Sequence, residues 1–409
     1  MGKLNWVDSL VIENSHVETP VSWLWWSLLS CISAAMGNNY YLTTLKGDLI
    51  YKGNLYIMLL GESGLGKGYP VNLAKRLVQE ANVTRVIAGR SSIQGIVQEL
   101  SRAKTIEGKA MITDSRGLII NGELSTAIIS DPDSLTILTD LYDGNYNPEW
   151  NNMLKMGNEK LKNPYITALF GSSPAHFYDT IPQANIEGGY IGRNLIVYEE
   201  KRSKDVDLLD EDKGIDDKFG NYIVPKYVPH LNVIAGKKGQ LKPSKEAREL
   251  FNTWRRKWRG SQTYDKTGFL NRVPDHVLKV SMCLALSNYD FNGEISESEM
   301  EESISRVSSL VYSSKRTTEG RGPDILAAST KLVLDYLLAA EQQEMTRKQL
   351  LWRGYGSFNS FTLDQIIDNL IEMSWVRRVK VGVGSNLDWK IMLAGEPLES
   401  YKKYLKEKK

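Results

Sequence analysis

Residues 55–68, Leu-Tyr-Ile-Met-Leu-Leu-Gly-Glu-Ser-Gly-Leu-Gly-Lys-Gly, constrain the fold more than any other stretch. The apolar run Leu55 to Leu60 predicts a strand buried on both faces, the condition found in parallel sheets. Gly61, Gly64 and Gly66 then permit a tight loop whose backbone N–H groups turn inward, because no Cβ obstructs the required dihedrals. A helix beginning near Lys67 aims its positive end at whatever fills the loop, and the Lys67 amine adds a full charge. The spacing Gly61-x-x-x-x-Gly66-Lys67 matches a phosphate-binding P-loop through its lysine. It departs at Gly68, where a Ser or Thr hydroxyl would reach Mg²⁺. The candidate nucleotide contacts are therefore Gly61, Glu62, Ser63, Gly64, Leu65, Gly66, Lys67, Gly68 and Tyr69, with ATP and Mg²⁺ as expected cofactors. A glycine-rich turn that merely ends a strand is the competing reading.

A chain of 409 residues has room for two or three domains. Its net charge of +2 excludes a wholly basic nucleic-acid wrapper, so any DNA contact must come from local clusters. Two distant cysteines, Cys31 and Cys283, read as buried free thiols, and four scattered histidines make no metal constellation. No signal-peptide pattern opens the sequence. The apolar segment 21–36 is shorter than the roughly 20 residues of a membrane span, and serines interrupt it. It predicts a buried helix, no membrane contact and a cytoplasmic protein of a bacterium or phage-infected host.

Along the chain, residues 1–50 read as a helical segment followed by a hairpin, 40–45 with 48–51. Residues 51–205 read as a P-loop core. Its helix continues through 71–81, strands follow at 83–88, 118–120, 165–170 and 193–198, and helices at 91–102 and 134–142. An edge strand is expected at 109–112 and a polar, aromatic loop at 143–160. Alternating strands and helices argue for an α/β fold with a parallel sheet, whose ligands sit at the carboxyl ends of the strands. Residues 206–322 read as a helical lid, with helices at 243–258, 268–287 and 296–314 after an acidic segment at 203–221. Residues 317–323 look like a hinge. Beyond it, helices at 325–340, 346–352 and 362–373 and a two-stranded wing at 376–381 and 388–393 predict a winged helix-turn-helix over 323–409, ending in a basic tail.

Glu123, after the strand 118–120, is the best candidate to orient an attacking water and the one candidate metal ligand. An Asp is expected at the preceding position, and Gly122 stands there; Asp114 is a competing carboxylate. Ser172 ends a buried strand where its hydroxyl would reach a terminal phosphate. Arg193 follows the glycine-rich run 188–192 and suits an arginine finger reaching a neighbouring subunit's γ-phosphate. Arg272, at the start of an apolar helix, is positioned to sense nucleotide from the lid. Each arginine reads alternatively as a surface salt bridge. Arg255, Arg256 and Lys257, flanked by tryptophans, suit a phosphate backbone, or equally form the solvated face of a helix with core tryptophans. The second helix of the helix-turn-helix carries Asp364, Asp368 and Glu372 and no base, so DNA contact there falls to the wing residues Arg377, Arg378 and Lys380. Failing that, the domain docks protein.

Five motifs together resemble the phage and mobile-element replication ATPases, a group of helicase-type proteins. They are Glu18-Thr-Pro-Val-Ser-Trp-Leu-Trp-Trp-Ser with 54–61, Leu141-Tyr-Asp-Gly, Ala168-Leu-Phe-Gly-Ser-Ser-Pro, 188–200 and 271–280. The resemblance covers about residues 15–315 and implies a RecA/AAA+-type core that assembles into a ring or filament and couples ATP to movement on DNA. By motif position it makes Lys67 the phosphate lysine, Glu123 the Walker B glutamate, Ser172 the sensor and Arg193 the interface arginine. The expected function is an oligomeric ATP-dependent DNA motor, a hexameric replicative helicase on single-stranded DNA. The winged helix would be free to bind a replication partner. The rival readings are an ATP-switched loader without unwinding, favoured by Gly68 and Gly122, and a DNA-binding adaptor with a vestigial P-loop.

Overall fold

Leu55 to Leu60 are all fully buried, and alternate residues feed opposite faces of one sheet. Leu55, Ile57 and Leu59 pack into one apolar cluster, and Tyr56, Met58 and Leu60 into another. Each such side chain contributes about 2 kcal/mol by leaving water, which fixes the strand in the middle of the molecule. A computed structural model describes residues 4–44, 47–89, 92–102, 104–107, 110–113, 115–123, 134–143, 149–154, 157–181, 189–206, 219–261, 265, 267–319, 325–355, 357–381 and 388–394.

The elements begin with helices α1 (Trp6–Glu13) and α2 (Val21–Met36) and the hairpin β1 (Tyr40–Thr44) and β2 (Leu49–Tyr51). The central strand is β3 (Tyr56–Leu60), followed by α3 (Gly68–Ala81), β4 (Arg85–Ala88) and α4 (Ile93–Arg102). A ribbon of β5 (Lys104–Glu107) and β6 (Ala110–Thr113) precedes β7 (Arg116–Asn121) and α5 (Ser134–Tyr142). A second ribbon, β8 (Glu149–Leu154) and β9 (Gly157–Lys162), leads to β10 (Tyr165–Ser172), α6 (Pro174–Thr180) and β11 (Asn194–Tyr198).

Five of these strands form an all-parallel sheet in the order β11-β3-β10-β7-β4. The chain leaves β3 for the far edge, steps back through β7 to β10, then crosses β3 to reach β11. Cluster composition shows the consequence: α2 and α3 cover one face, and α4, α5 and α6 the other. The direction of travel reverses at β3 and β10, which opens a crevice at their carboxyl ends. The sheet is thus of the expected α/β class.

Helices α7 (Val224–Gly236), α8 (Lys245–Gly260), α9 (Phe269–Ser287) and α10 (Glu297–Glu319) follow, with short strands β12 (Gly239–Gln240), β13 (Lys242–Pro243) and β14 (Glu294–Ile295). Side chains from α1, α2, α7, α9 and α10 share a single cluster with the α3 face of the sheet. Residues 1–318 accordingly form one compact unit. The expected breaks at 50 and 205 are not boundaries, because the would-be lid helices bury the same sheet face as the N-terminal helices. Three further points differ. The strand near 109–112 pairs in the β5–β6 ribbon; 143–160 contains most of the β8–β9 ribbon; and α7 was not foreseen.

Residues 319–409 form the second unit. It contains α11 (Ile325–Ala339), β15 (Glu344–Thr346), α12 (Arg347–Arg353), α13 (Ser360–Glu372), β16 (Val376–Val381) and β17 (Asp388–Leu393). The strands make an antiparallel sheet in the order β15-β17-β16, one strand more than expected. Leu337, Leu350, Ile366, Leu370, Val376 and Ile391 are buried in its core. Thr346 and Gln349 close a reciprocal capping box on α12, and Asn359 caps α13. No helix among the described residues is long and apolar enough to cross a membrane.

Candidate functional site

The glycine-rich loop leaves β3 at the crevice predicted by the topology. Gly61 N–H donates to the Ser172 carbonyl at 3.3 Å, tying the loop to β10, and Glu199 N–H donates to the Leu60 carbonyl at 2.9 Å from the β11 side. Gly61 is required by space: a Cβ there would lie 2.5 Å from the Glu199 carbonyl oxygen and 2.7 Å from the Trp23 ring. Gly64 and Gly66 both adopt φ of +88°, the left-handed region that glycine enters without penalty. Lys67 caps α3, whose first turn starts at Gly68. Glu62, Ser63, Gly64, Gly66, Gly68 and Tyr69 are exposed, while Leu65 is half-buried against the core.

The Lys67 ammonium donates to the carbonyls of Gly61 at 2.5 Å and Glu62 at 2.8 Å and lies 5.6 Å from the Trp23 ring centroid. Burial lowers its pKa below the ordinary lysine value, and the nearby Glu62 and Glu123 charges oppose that shift. Glu123 is exposed, two residues past β7. Phe170 pairs with Asn121 in register, so two residues on, position 123 falls at the level of Ser172. Ser172 itself pairs with Leu60, and its buried hydroxyl donates to the Ser173 carbonyl at 3.1 Å. Lys67, Glu123 and Ser172 thus come together at one sheet edge from three separate parts of the sequence.

The groups that hold this loop in place were not identified from sequence. Thr19 Oγ1 donates to the Gly66 carbonyl at 3.2 Å, and Arg202 Nη2 to the Gly64 carbonyl at 3.1 Å. Arg202 is ion-paired with Glu18, whose carboxylate also accepts from Val206 N–H at 3.1 Å. Trp23 Nε1 donates to the Val197 carbonyl at 2.9 Å, which sets its ring over Gly61. The only signal was the Glu18-Thr19-Pro20 motif, which carried a resemblance without a role.

The residues fit a triphosphate: open amides at two left-handed glycines, a helix start and one ammonium converge there. They do not make a protein-held Mg²⁺ site. Glu123 is an exposed carboxylate whose charge reaches Lys67, and no group of three metal-ligating side chains exists among the described residues. Asp114 lies outside the described residues. Neither departure is forced by packing, since a Cβ added at Gly68 or Gly122 would meet nothing within 4 Å.

Arg193 and Arg272 stand elsewhere. Arg193 immediately precedes β11, whose first residue pairs with Tyr56 at the start of β3. It therefore lies at the amino edge, roughly 16 Å from the P-loop edge at 3.3 Å per strand residue. Its guanidinium is bidentate to Asp143, with Nε to Oδ1 at 3.2 Å, and donates to the Gly189 carbonyl at 2.9 Å. Arg272 lies beside it; burial, then the Arg193 charge, lower its pKa. Arg272, expected to sense nucleotide from the lid, lies near the start of α9, which packs against the Gly192 turn at this edge and not against the glycine-rich loop. Arg193, Arg272, Asp143, Asp275, Lys279 and Tyr142 line a cavity of about 230 Å³. Lys279 donates to both oxygens of Asn54 at 3.2 and 2.8 Å, and burial brings its pKa down to about 7. His276, facing the Gly192 carbonyl at 3.0 Å, is brought down to about 3 by burial.

On α8, Trp254 and Trp258 stack at 5.6 Å and pack against the core, leaving Arg256 and Lys257 exposed. Arg255 is half-buried and lines a separate cavity with Tyr51 and Phe251. On β16, Arg377, Arg378 and Lys380 are exposed, but Arg378 is engaged by Asp368 at 3.5 Å and by the Trp389 ring at 4.4 Å. Asp364 is likewise bound by Arg347. No protein-family model matches this sequence, and no curated protein matches it significantly.

Proposed function

We propose that this chain is a P-loop ATPase acting on DNA as an oligomer, a motor of the RecA/AAA+ replicative-helicase type. The observation that carries the reading is the Gly61–Lys67 loop at the carboxyl end of β3, at the reversal point of a five-stranded parallel sheet. The strand order adds a specific support. One strand, β10, separates the P-loop strand from the strand leading to Glu123. Two strand spacings of about 4.8 Å leave room for a terminal phosphate and one water between loop and carboxylate.

In this reading the loop amides and Lys67 bind the phosphates, Lys67 exchanging the Gly61 and Glu62 carbonyls for phosphate oxygens. Glu123 orients the water and accepts its proton, and Ser172 donates to the terminal phosphate. Mg²⁺ bound to the nucleotide would neutralise phosphate charge, with Glu123 its nearest side chain. Arg193, at the opposite sheet edge, serves the site of an adjoining protomer in a ring such as a hexamer, with Arg272 beside it. Reaching that phosphate requires Arg193 to exchange Asp143 for it. Exposed Arg256 and Lys257 follow the DNA backbone. The second unit, with its helix order and antiparallel sheet, is a winged helix that contacts DNA or a replication partner.

Titration of the full-length chain with ATP, beside Lys67→Ala, tests the site: the variant should lose nucleotide binding by about 100-fold or more. Equal binding by both proteins overturns the assignment. The bare donor set at Gly68 and Gly122 favours a second reading, a nucleotide-switched loader. Turnover stimulated by single-stranded DNA without strand displacement would select it.

A further inference from the structure

The second unit exposes three large aromatic side chains at one end: Trp352 is 82%, Tyr355 92% and Phe361 69% exposed. All three belong to the turn joining α12 to α13 and its flanks. We propose that this turn is a binding surface for single-stranded nucleic acid, the three rings stacking on bases while Lys348 and Arg353 meet phosphates.

Local charge argues for that occupant. Residues 345–363 contain Arg347, Lys348 and Arg353 and no Asp or Glu. Arg347 is taken up by Asp364, through bonds of 2.7 and 2.8 Å, whereas Lys348 and Arg353 lie exposed on α12. Cations interleaved with rings suit an unpaired strand, because every base offers a π-face and every nucleotide a charge. A duplex suits it less. The exposed side of α13 carries Asp368 and Glu372, which the phosphates of a major groove would repel.

The rings project from an ordered turn. Phe358 packs into the unit's core and over Gly354, where a Cβ would lie 2.1 Å from its ring. Gly354 N–H donates to the Leu350 carbonyl at 2.9 Å, and Ser357 N–H to the Gly354 carbonyl at 2.9 Å. One aromatic of the segment is therefore spent on anchoring the turn and the other three point outward. Rings held this way lose little freedom on stacking. The α13 start adds N–H groups for a phosphate, with Asn359 Oδ1 already satisfied by Thr362 N–H at 2.9 Å.

The surface is independent of the nucleotide site, so its assay contains no ATP. The full-length chain is titrated into a fluorescein-labelled oligo(dT) of roughly 20 nucleotides and followed by anisotropy. Trp352→Ala/Tyr355→Ala/Phe361→Ala should weaken binding about tenfold or more with an unchanged melting temperature, while Trp352→Phe retains binding. Lys348→Gln/Arg353→Gln should reduce the slope of log affinity against log salt by about 1.4. The proposal is overturned if the triple variant binds oligo(dT) like the wild type, or if an equal-length duplex binds as tightly and loses as much. It is also overturned if sedimentation shows the triple variant altering only self-association, which would make the rings a protein contact.

Discussion

The two edges of the central sheet carry cations in opposite ways. At the carboxyl edge, Lys67 is held by main-chain carbonyls on a glycine backbone, among open amides, with its partners replaceable. At the amino edge, Arg193, Arg272 and Lys279 sit among Asp143, Asp275 and Asn54, and half of their hydrogen bonds go to side chains, Asp143 and Asn54, the rest to main-chain carbonyls. In the proposed function the first edge accepts an anion by exchanging neutral main-chain carbonyls for it. In the same proposal the second edge accepts one only by giving up a charge-assisted bond to Asp143, which makes it a conditional site.

The sharpest way to break this contrast is Lys67→Ala, for which nucleotide binding should vanish while stability is unchanged, as the side chain is only half-buried. At the other edge the effect should fall on stability and be asymmetric. The Arg193 side chain is 10% exposed and that of Asp143 40%. Asp143→Asn leaves a buried guanidinium without its counter-charge and should cost about 2–3 kcal/mol in denaturant unfolding. Arg193→Met leaves a half-exposed carboxylate that water can solvate, and should cost clearly less. Equal costs would mean the pair is not held as described.

A smaller effect concerns the open space at Gly68 and Gly122. Gly68→Thr/Gly122→Asp should fold normally and raise Mg²⁺-dependent turnover about tenfold, about 1.4 kcal/mol in the barrier. Gly171→Ala is the control, because its Cβ would meet the Gly122 carbonyl at 2.3 Å and destabilise the sheet. The smallest effect is in pH. Burial brings the folded pKa of Lys279 down to about 7 from the ordinary lysine value of 10.5, so between those values the unfolded chain binds more protons. Stability should therefore rise with pH from about 7 to 9, by at most about 1.4 kcal/mol per unit, and fall again as pH drops back through that window. Asp143 and Asp275 oppose the shift and Arg193 reinforces it. Lys279→Met should flatten the rise; an unchanged slope in thermal melts would place its origin elsewhere.

Much of the fold was legible because local signals agreed with the tertiary outcome. The run Leu55–Leu60 is buried on both faces, and the helix at 134–142 appears as predicted. The sheet edge joining Lys67, Glu123 and Ser172 followed from the carboxyl-end rule. Where the reading failed, long-range contacts decided. α7 was not foreseen: Pro225 occupies its first turn, where no intrahelical N–H is needed, and the helix continues past Pro229, with Tyr227, Leu231 and Ile234 buried. β15 has three residues, too few for any periodicity. The place of Arg272 beside Arg193 was not legible, because helix sequence says nothing of which end of a sheet the helix starts against. The partners of the acidic residues of α13 were not legible either: Arg347 and Arg378, which bind Asp364 and Asp368, come from two other elements.

The clasp of Glu18 on Arg202 joins positions 184 residues apart. On the ribosome, Glu18 emerges long before Arg202 has been synthesised, so the glycine-rich loop gains this brace only after the last strand of the sheet has been made. Contacts of such separation form late, because chain closure must be completed before they repay it. A nascent chain interrupted before Arg202 would hold all five strands of the sheet and still lack the bond from Arg202 to the Gly64 carbonyl, which ties the bracing of this loop to chain made after the sheet.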